Sequence, residues 1–384
     1  MEILTVFSRK GLHIKCTPVV PAVRFNYNTL AERVAGRGDF MNELALIHKQ
    51  AKERLKGICR VCPVCNGLSC VSGVPGMGGK THDRQGMKRN RAALEQYLLN
   101  LRTIHEVNFA DTSYELFGVQ LRSPIMVAPM CETTYNFLNR VDDYDFIVSQ
   151  VEGAEKAGTL AFTGDSPEPL LYEMSLKASL DKATGKGIPI IKPRKKNDII
   201  ERVRLAEKYG SLAVGVDIDA AGFDSFAKAG QPVGPLSFSS LRDIINDTHL
   251  PFILKGIMTV EEAVEAVNCG AAGLVVSNHG GRVLDSTPGT SEVLPEIVSA
   301  VKGAIKIFVD GGIRTGEDVL KMLALGAEAV LIGRPVAIAA IGGGADGVSL
   351  QLSTLESDLR RAMLLTGCKS LETVGPFVIR EALF

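Results

Sequence analysis

The chain has 384 residues, 43 basic and 43 acidic side chains, a formal net charge of zero and 46% apolar residues. This balance argues against a broad basic surface for nucleic acid, and the apolar fraction is ample for a sizeable core. No apolar run approaches the roughly 20 residues that cross a bilayer and the N-terminus has no apolar leader stretch, so neither a nucleic-acid nor a membrane partner is expected.

Residues 1–40 have no clear period and hold Pro18, Pro21 and Gly36-Arg37-Gly38. They read as an extension that does not conform to the rest. Met41-Asn42-Glu43-Leu44 opens an amphipathic helix, which makes Met41 the expected start of the chain proper. Residues 41–110 form a helical, Cys-rich cap: a helix, a cysteine cluster, a Gly-rich run from Gly73 to Gly79, and a second helical pattern over about Met87 to Leu99.

Four of the eight cysteines lie at Cys59, Cys62, Cys65 and Cys70. Clustering of this kind points to metal or redox chemistry in a reducing compartment, so the cytoplasm is the expected location. Thiolates at these spacings suit an iron–sulfur cluster or zinc, and free thiols are the remaining alternative. The run resembles the CxxCxxCxxxCP of ferredoxins with one extra residue and with proline after the second cysteine.

Residues 111–384 read as a (β/α)8 barrel of the α/β class. Eight short apolar runs alternate with amphipathic helical stretches: Ile125–Ala128, Thr159–Thr163, Ile188–Ile191, Leu212–Val216, Phe252–Leu254, Gly273–Val276, Lys306–Val309 and Ala329–Ile332. Such runs suit strands buried on both faces, and eight units in roughly 260 residues match a barrel better than an open doubly wound sheet. Helices are expected at Asp198–Tyr209, Val260–Asn268 and Glu317–Leu325. Gly256-Ile257-Met258-Thr259-Val260-Glu261 aligns onto Gly312-Ile313-Arg314-Thr315-Gly316-Glu317 without gaps, a register kept over about 20 residues that points to internal repetition.

Asp310-Gly311-Gly312-Ile313-Arg314 follows the seventh run and Gly333-Arg334-Pro335 the eighth. Glycine loops, two arginines and a helix starting after Arg334 make a phosphate site, placed where barrels of this type hold phosphate. Asp217 follows the fourth run, Lys255 the fifth, and Ser277-Asn278-His279-Gly280-Gly281-Arg282 the sixth. These groups converge on one mouth, with His279 as a base, Arg282 as a carboxylate clamp and Lys255 as support for negative charge.

SNHGGRVLD, SPIMVAPM, PFILKGI, DGGIRTGEDVLKMLALGAEAVLIGRP and LLTGCKSLETV together resemble the FMN-dependent α-hydroxy acid dehydrogenases, which include glycolate oxidase, lactate oxidase and the flavin domain of flavocytochrome b2. The resemblance runs from about Leu101 to Thr373. It implies non-covalent FMN, with Ala128, Pro129 and Met130 along the flavin ring and Lys255 near its N1 and O2. It assigns ribityl and phosphate to Ser277, Asp310, Gly311, Gly312, Arg314, Gly333 and Arg334. His279, beside Gly280, would take the hydroxyl proton of a 2-hydroxy acid, Asp217 would orient the imidazole, and Arg282 would hold the carboxylate.

Three departures stand out. No arginine follows Asp217, where the family carries a second carboxylate ligand; Lys192 is the candidate replacement. Ile190-Ile191-Lys192-Pro193 stands where the family has a glutamine and a tyrosine, and the cysteine segment stands where it has a lid tyrosine. The segment is therefore expected at the mouth of the flavin pocket, where a cluster would pass electrons to an acceptor protein. A homo-oligomer is expected. Two other functions remain in view: a flavin isomerase without net redox change, like type 2 isopentenyl diphosphate isomerase, and a flavin–metal electron carrier or redox sensor. Cys131 beside the ring is either a packing residue or a reactive thiol.

Overall fold

The computed structural model describes residues 37–70, 74, 76–77 and 85–382. The expectations for residues 1–36, and most of the Gly73–Gly79 run, lie outside the described residues. Residues Phe40–Phe384 form one compact unit.

Eight parallel strands form the centre: β1 (Ile125–Val127), β2 (Phe162–Gly164), β3 (Ile188–Ile191), β4 (Val214–Asp217), β5 (Phe252–Ile257), β6 (Gly273–Val276), β7 (Lys306–Val309) and β8 (Ala329–Ile332). Neighbours in sequence are neighbours in the sheet, β8 pairs with β1, and a parallel bridge from Val127 to Ala161 closes the ring against the start of β2. A closed ring excludes the open doubly wound sheet. Each strand alternates between two apolar layers. Met126, Phe162, Ile190, Ile253, Val275, Phe308 and Leu331 fill the barrel interior, whereas Ile125, Val127, Ile191, Leu254, Val276 and Ile332 face the helices. Burial on both faces is why these strands read as continuous apolar runs.

The β2 run was placed too early. Thr159 is used instead to bind the Ile125 carbonyl through its hydroxyl (2.8 Å). β4 likewise begins two residues later than Leu212 and ends on Asp217. β5 runs on past Leu254 to Ile257 with a bulge between Lys255 and Ile257. Gly256 makes the bulge, since its φ of 104° and the 2.7 Å approach of Asp219 to any added Cβ both require glycine.

The repeat is visible in three dimensions. Thr259 caps the helix Val260–Asn268 by accepting from the Glu262 N–H, and Thr315 caps Gly316–Ala324 by accepting from the Asp318 N–H. The helix over Lys196–Lys208 sits two residues before the expected span.

Outside the barrel, the first described helix spans Arg37–Arg54, beginning four residues ahead of Met41. The second spans Gln85–Glu95 and stops short of the expected Leu99, because Tyr97–Leu99 forms a strand antiparallel to Ile379–Glu381. A hairpin, Tyr114–Leu116 with Val119–Leu121, places Tyr114, Leu116 and Leu121 against the barrel interior. The helix Arg334–Thr366 is long and apolar enough to cross a bilayer by length and composition, which corrects the reading of the apolar runs. However, 67% of its most apolar window is buried within the fold, and Gly344 (φ 58°, ψ −146°) divides it.

Candidate active site

The C-terminal strand ends build the site. β4 ends on Asp217, and a 3-10 turn, Ile218–Gly222, carries Asp219 beside it. Lys255 Nζ from β5 lies 2.9 Å from Asp217 Oδ1, and Lys192 Nζ, just past β3, lies 2.5 Å from Asp217 Oδ2. Lys192 is thus engaged by Asp217, with its ammonium 5.3 Å from the centre of the Phe223 ring. Its backbone N–H donates to Asp165 (2.9 Å), a carboxylate that Arg194 grips through two bonds of 3.1 and 3.0 Å.

His279 follows β6 in the left-handed region (φ 57°). Its N–H donates to Ser277 Oγ (3.1 Å), and Ser277 in turn donates to the Asp310 carboxylate (2.8 and 2.9 Å). The nearest acid to His279 Nδ1 is Asp219 (2.9 Å); Asp217, expected to orient the ring, stands farther off at 3.6 Å. The bend at Ile218 turns Asp219 back toward the imidazole. Phe223 packs edge-on against the ring at 4.9 Å. With Nδ1 occupied, Nε2 is left to exchange a proton.

Charge is sorted among these groups. Burial would raise Asp217, but the Lys192 and Lys255 charges outweigh it and hold that carboxyl well below its usual range. Burial and the adjacent Asp217 push Asp219 well up. Burial, reinforced by Lys255 and Lys192, holds His279 well below 6.5 even though Asp217 pulls the other way. A low-pKa imidazole is the neutral form a base needs.

A cavity opens above the strand ends, lined among others by Ala128, Pro129, Met130, Lys255, His279 and Arg282. Asp310, Gly311, Gly312, Arg314, Gly333 and Arg334 complete its other wall, so the residues expected around FMN, Ser277 apart, are brought together here. Arg334 donates to the carbonyls of Met77 (2.9 Å) and Gly280 (3.1 Å). Arg314 donates to the carbonyls of Cys65 (3.2 Å) and Ile313 (2.8 Å). Among the described residues neither has a carboxylate partner. Burial, and then the Arg314 charge, lower the Arg334 guanidinium to about 10. Two adjacent arginines without an acid fit a phosphate, and Pro335 opens the helix whose positive end points there. Gly311 and Gly312 are glycines for a further reason. Both have positive φ, and an added Cβ on Gly312 would stand 2.6 Å from the Asn90 carbonyl of the helix Gln85–Glu95.

Arg282 is half-buried, and loss of solvent lowers its pKa. One terminal nitrogen donates to Asn136 Oδ1 (2.7 Å), while Nε has no partner among the described residues. The four cluster cysteines line one small cavity together with Met77 and Ile338. Cys65 touches Arg314 by its carbonyl and, at 3.6 Å, by its sulfur. The cysteine segment therefore meets the phosphate end of the pocket, not the mouth over His279 as the sequence implied. Cys131 is buried and donates to the Asp165 carbonyl (3.1 Å); burial pushes its thiol up, which suits packing rather than reactivity.

Sequence reasoning missed Asp219, Asp165 and Asn136. The first had a signal, an acid two residues after Asp217 at a strand end. The other two lie on the loops after β2 and β1 and had none.

The family model described as FMN-dependent dehydrogenase matches residues 77–232 and 141–381. The chain is 34% identical over 327 residues to 4-hydroxymandelate oxidase of Amycolatopsis orientalis, covering 77% of this chain and 90% of that one. It is 30% identical over 331 residues to L-lactate oxidase of Lactobacillus jensenii, covering 77% and 78%. The crystal structure of mandelate oxidase superposes with a TM-score of 0.71 at 29% identity, over 88% of this chain and 98% of that one. With this agreement in sequence, fold and site, the chain belongs to the FMN-dependent dehydrogenase family and is an FMN-dependent oxidoreductase.

Proposed function

We propose that the enzyme oxidises a 2-hydroxy acid to the 2-oxo acid, with His279 as base and Arg282 as carboxylate ligand. The observation that carries this reading is that Arg282, whose Nε has no partner among the described residues, and His279 line one cavity. When bound, FMN supplies the acceptor of the hydride that leaves C2. Arg282 fixes the substrate carboxylate by Nε together with the nitrogen now on Asn136. His279 Nε2 takes the hydroxyl proton, Asp219 on Nδ1 orients the ring, and the Asp217 carboxylate, 3.6 Å from Nδ1, steadies the resulting imidazolium. Lys255, held by Asp217, lends positive charge to the floor of the pocket. Arg314 and Arg334 hold the cofactor phosphate. Lys192 supplies the positive potential that the missing arginine would give, although Asp217 engages its ammonium. Anaerobic addition of lactate, glycolate or mandelate should bleach the flavin; failure of every 2-hydroxy acid to do so would end this reading.

We further propose that Cys59, Cys62, Cys65 and Cys70 hold an iron–sulfur cluster that passes electrons to a protein acceptor in a reducing compartment. All four line one small cavity. The Cys59-x-x-Cys62-x-x-Cys65-x4-Cys70 spacing supports this reading, with a tetrahedral zinc as the alternative. Anaerobically purified protein should show brown absorbance beyond the flavin bands, with iron and sulfide. Cys62→Ser with Cys65→Ser should remove it while leaving substrate reduction of the flavin largely intact. Stoichiometric zinc, or no metal, would end the relay.

A further inference from the structure

Glu132 lies on the loop after β1 with a left-handed backbone (φ 61°, ψ 69°). For a residue with a Cβ this conformation costs roughly 1–2 kcal/mol, and such strain gathers at functional sites. The ordinary reason for an acid at the start of a helical turn is capping, and it does not apply. Glu132 makes no side-chain cap bond, and the Thr133 N–H donates instead to Asp143 Oδ1 at 2.6 Å. Among the described residues the Glu132 carboxylate has neither a hydrogen-bond nor an ion-pair partner. It is nonetheless half-buried and lines the same cavity as Lys192, His279, Arg282, Phe223 and Phe226. Burial, with the Asp143 carboxylate behind it, lifts it to about 7.

The cavity thus presents Arg282 and His279, where the 2-hydroxy acid reacts, and also Glu132, an acceptor that the reaction does not use. Phe223 and Phe226 line the apolar wall. We propose that Glu132 accepts a hydrogen bond from a second hydroxyl group, carried on the side chain of the 2-hydroxy acid, and so selects hydroxylated over plain alkyl or aryl substrates. This rests on the oxidoreductase reading above. A side-chain ammonium would meet Lys192 and Arg282, and a side-chain carboxylate would meet Glu132 itself; a neutral donor meets neither repulsion. A buried acceptor left without its donor is what gives such a site its discrimination.

Calorimetric titration of the FMN-loaded protein with matched unreactive 2-oxo acids tests this. The probes are phenylglyoxylate against 4-hydroxyphenylglyoxylate, and 2-oxobutanoate against 4-hydroxy-2-oxobutanoate. At least one hydroxylated member should bind about tenfold tighter or better. That ratio should fall to near one in Glu132→Leu, and equally in Glu132→Asn, which tolerates the left-handed backbone should the leucine variant not fold. The corresponding 2-hydroxy acids should show the same ratios in anaerobic flavin reduction. Ratios near one for both pairs in the parent, or ratios that survive in Glu132→Asn, overturn the proposal while 2-hydroxy acids still bleach the flavin. If no 2-hydroxy acid bleaches it and no 2-oxo acid binds, the oxidoreductase reading falls and this proposal with it.

Discussion

The barrel mouth and the cysteine segment meet at Arg314 and are built on opposite plans. In the mouth several carboxylates at the strand ends are anchored by polar partners. Asp217 lies between two lysines, Asp165 between Arg194 and the Lys192 backbone, and Asp310 under Ser277. The strand ends fix those positions, and the side chains have little left to choose. Among the described residues, the cysteine segment is held by the Val61 N–H on Cys59 sulfur (3.3 Å), the Leu68 N–H on Asn66 (3.1 Å), the Cys59 N–H on the Leu55 carbonyl (2.9 Å) and Arg314 on Cys65. Chemistry in the mouth is therefore preorganised by the fold, while the segment's order depends on what its thiols and its carbonyl hold.

Four perturbations break or sharpen that contrast. His279→Ala removes the base from an otherwise intact scaffold. It should keep its flavin and lose about two to four orders of magnitude in substrate-driven reduction, measured by anaerobic stopped flow; reduction at the parent rate would remove His279 from the chemistry. Arg314→Ala with Arg334→Ala strikes the shared boundary. Losing two charged contacts should weaken FMN by about a hundredfold or more, so the protein should purify nearly colourless. Full yellow occupancy would contradict the phosphate site.

Asp219→Asn separates the two acids near His279. With Asp217 still 3.6 Å away, reduction should slow by about ten- to a hundredfold, less than loss of the orienting acid costs a catalytic triad. No change would return the orienting role to Asp217. The smallest effect is a flat line. Asp217, Asp219, Lys192, Lys255 and Arg282 surround His279, and burial together with the lysines depresses its pKa. A base held well below 6.5 stays unprotonated as the pH falls through 6.5. In a Glu132→Gln background, which removes the carboxyl at about 7, kcat/KM for reduction should stay level from pH 7.5 to 6.5 and turn down only at lower pH. A decline centred at or above 6.5 would mean that the imidazole is not depressed.

The barrel was legible because strands buried on both faces announce themselves as short apolar runs. β3, β6, β7 and β8 match their expected spans residue for residue. The glycines and arginines that line the pocket were legible as a group because they recur at strand ends. What stayed hidden depends on neighbours distant in sequence. Tyr97–Leu99 continues a helical pattern on paper and becomes a strand only because Ile379–Glu381 pairs with it. Asp219 takes the imidazole because a 3-10 turn reverses the chain after Asp217. The position of the cysteine segment hinges on Arg314, some 250 residues away ( |i−j| 249). Glu132 is silent in sequence, since nothing local distinguishes a strained, unpaired carboxylate from a solvated one.

That pairing of Tyr97–Leu99 with Ile379–Glu381 also sets an order of assembly in the cell. Asn100 reinforces it by donating to the carbonyls of Phe377 and Ile379. The helix Gln85–Glu95, whose backbone lies against Gly281 and Gly312, leads directly into this strand. During synthesis the partner strand follows all eight barrel strands, so this pairing can form only once they have been made. Pairing between segments this remote in sequence is also the slowest kind to form. A nascent chain stalled before Ile379 would lack the strand that holds Tyr97–Leu99 in place.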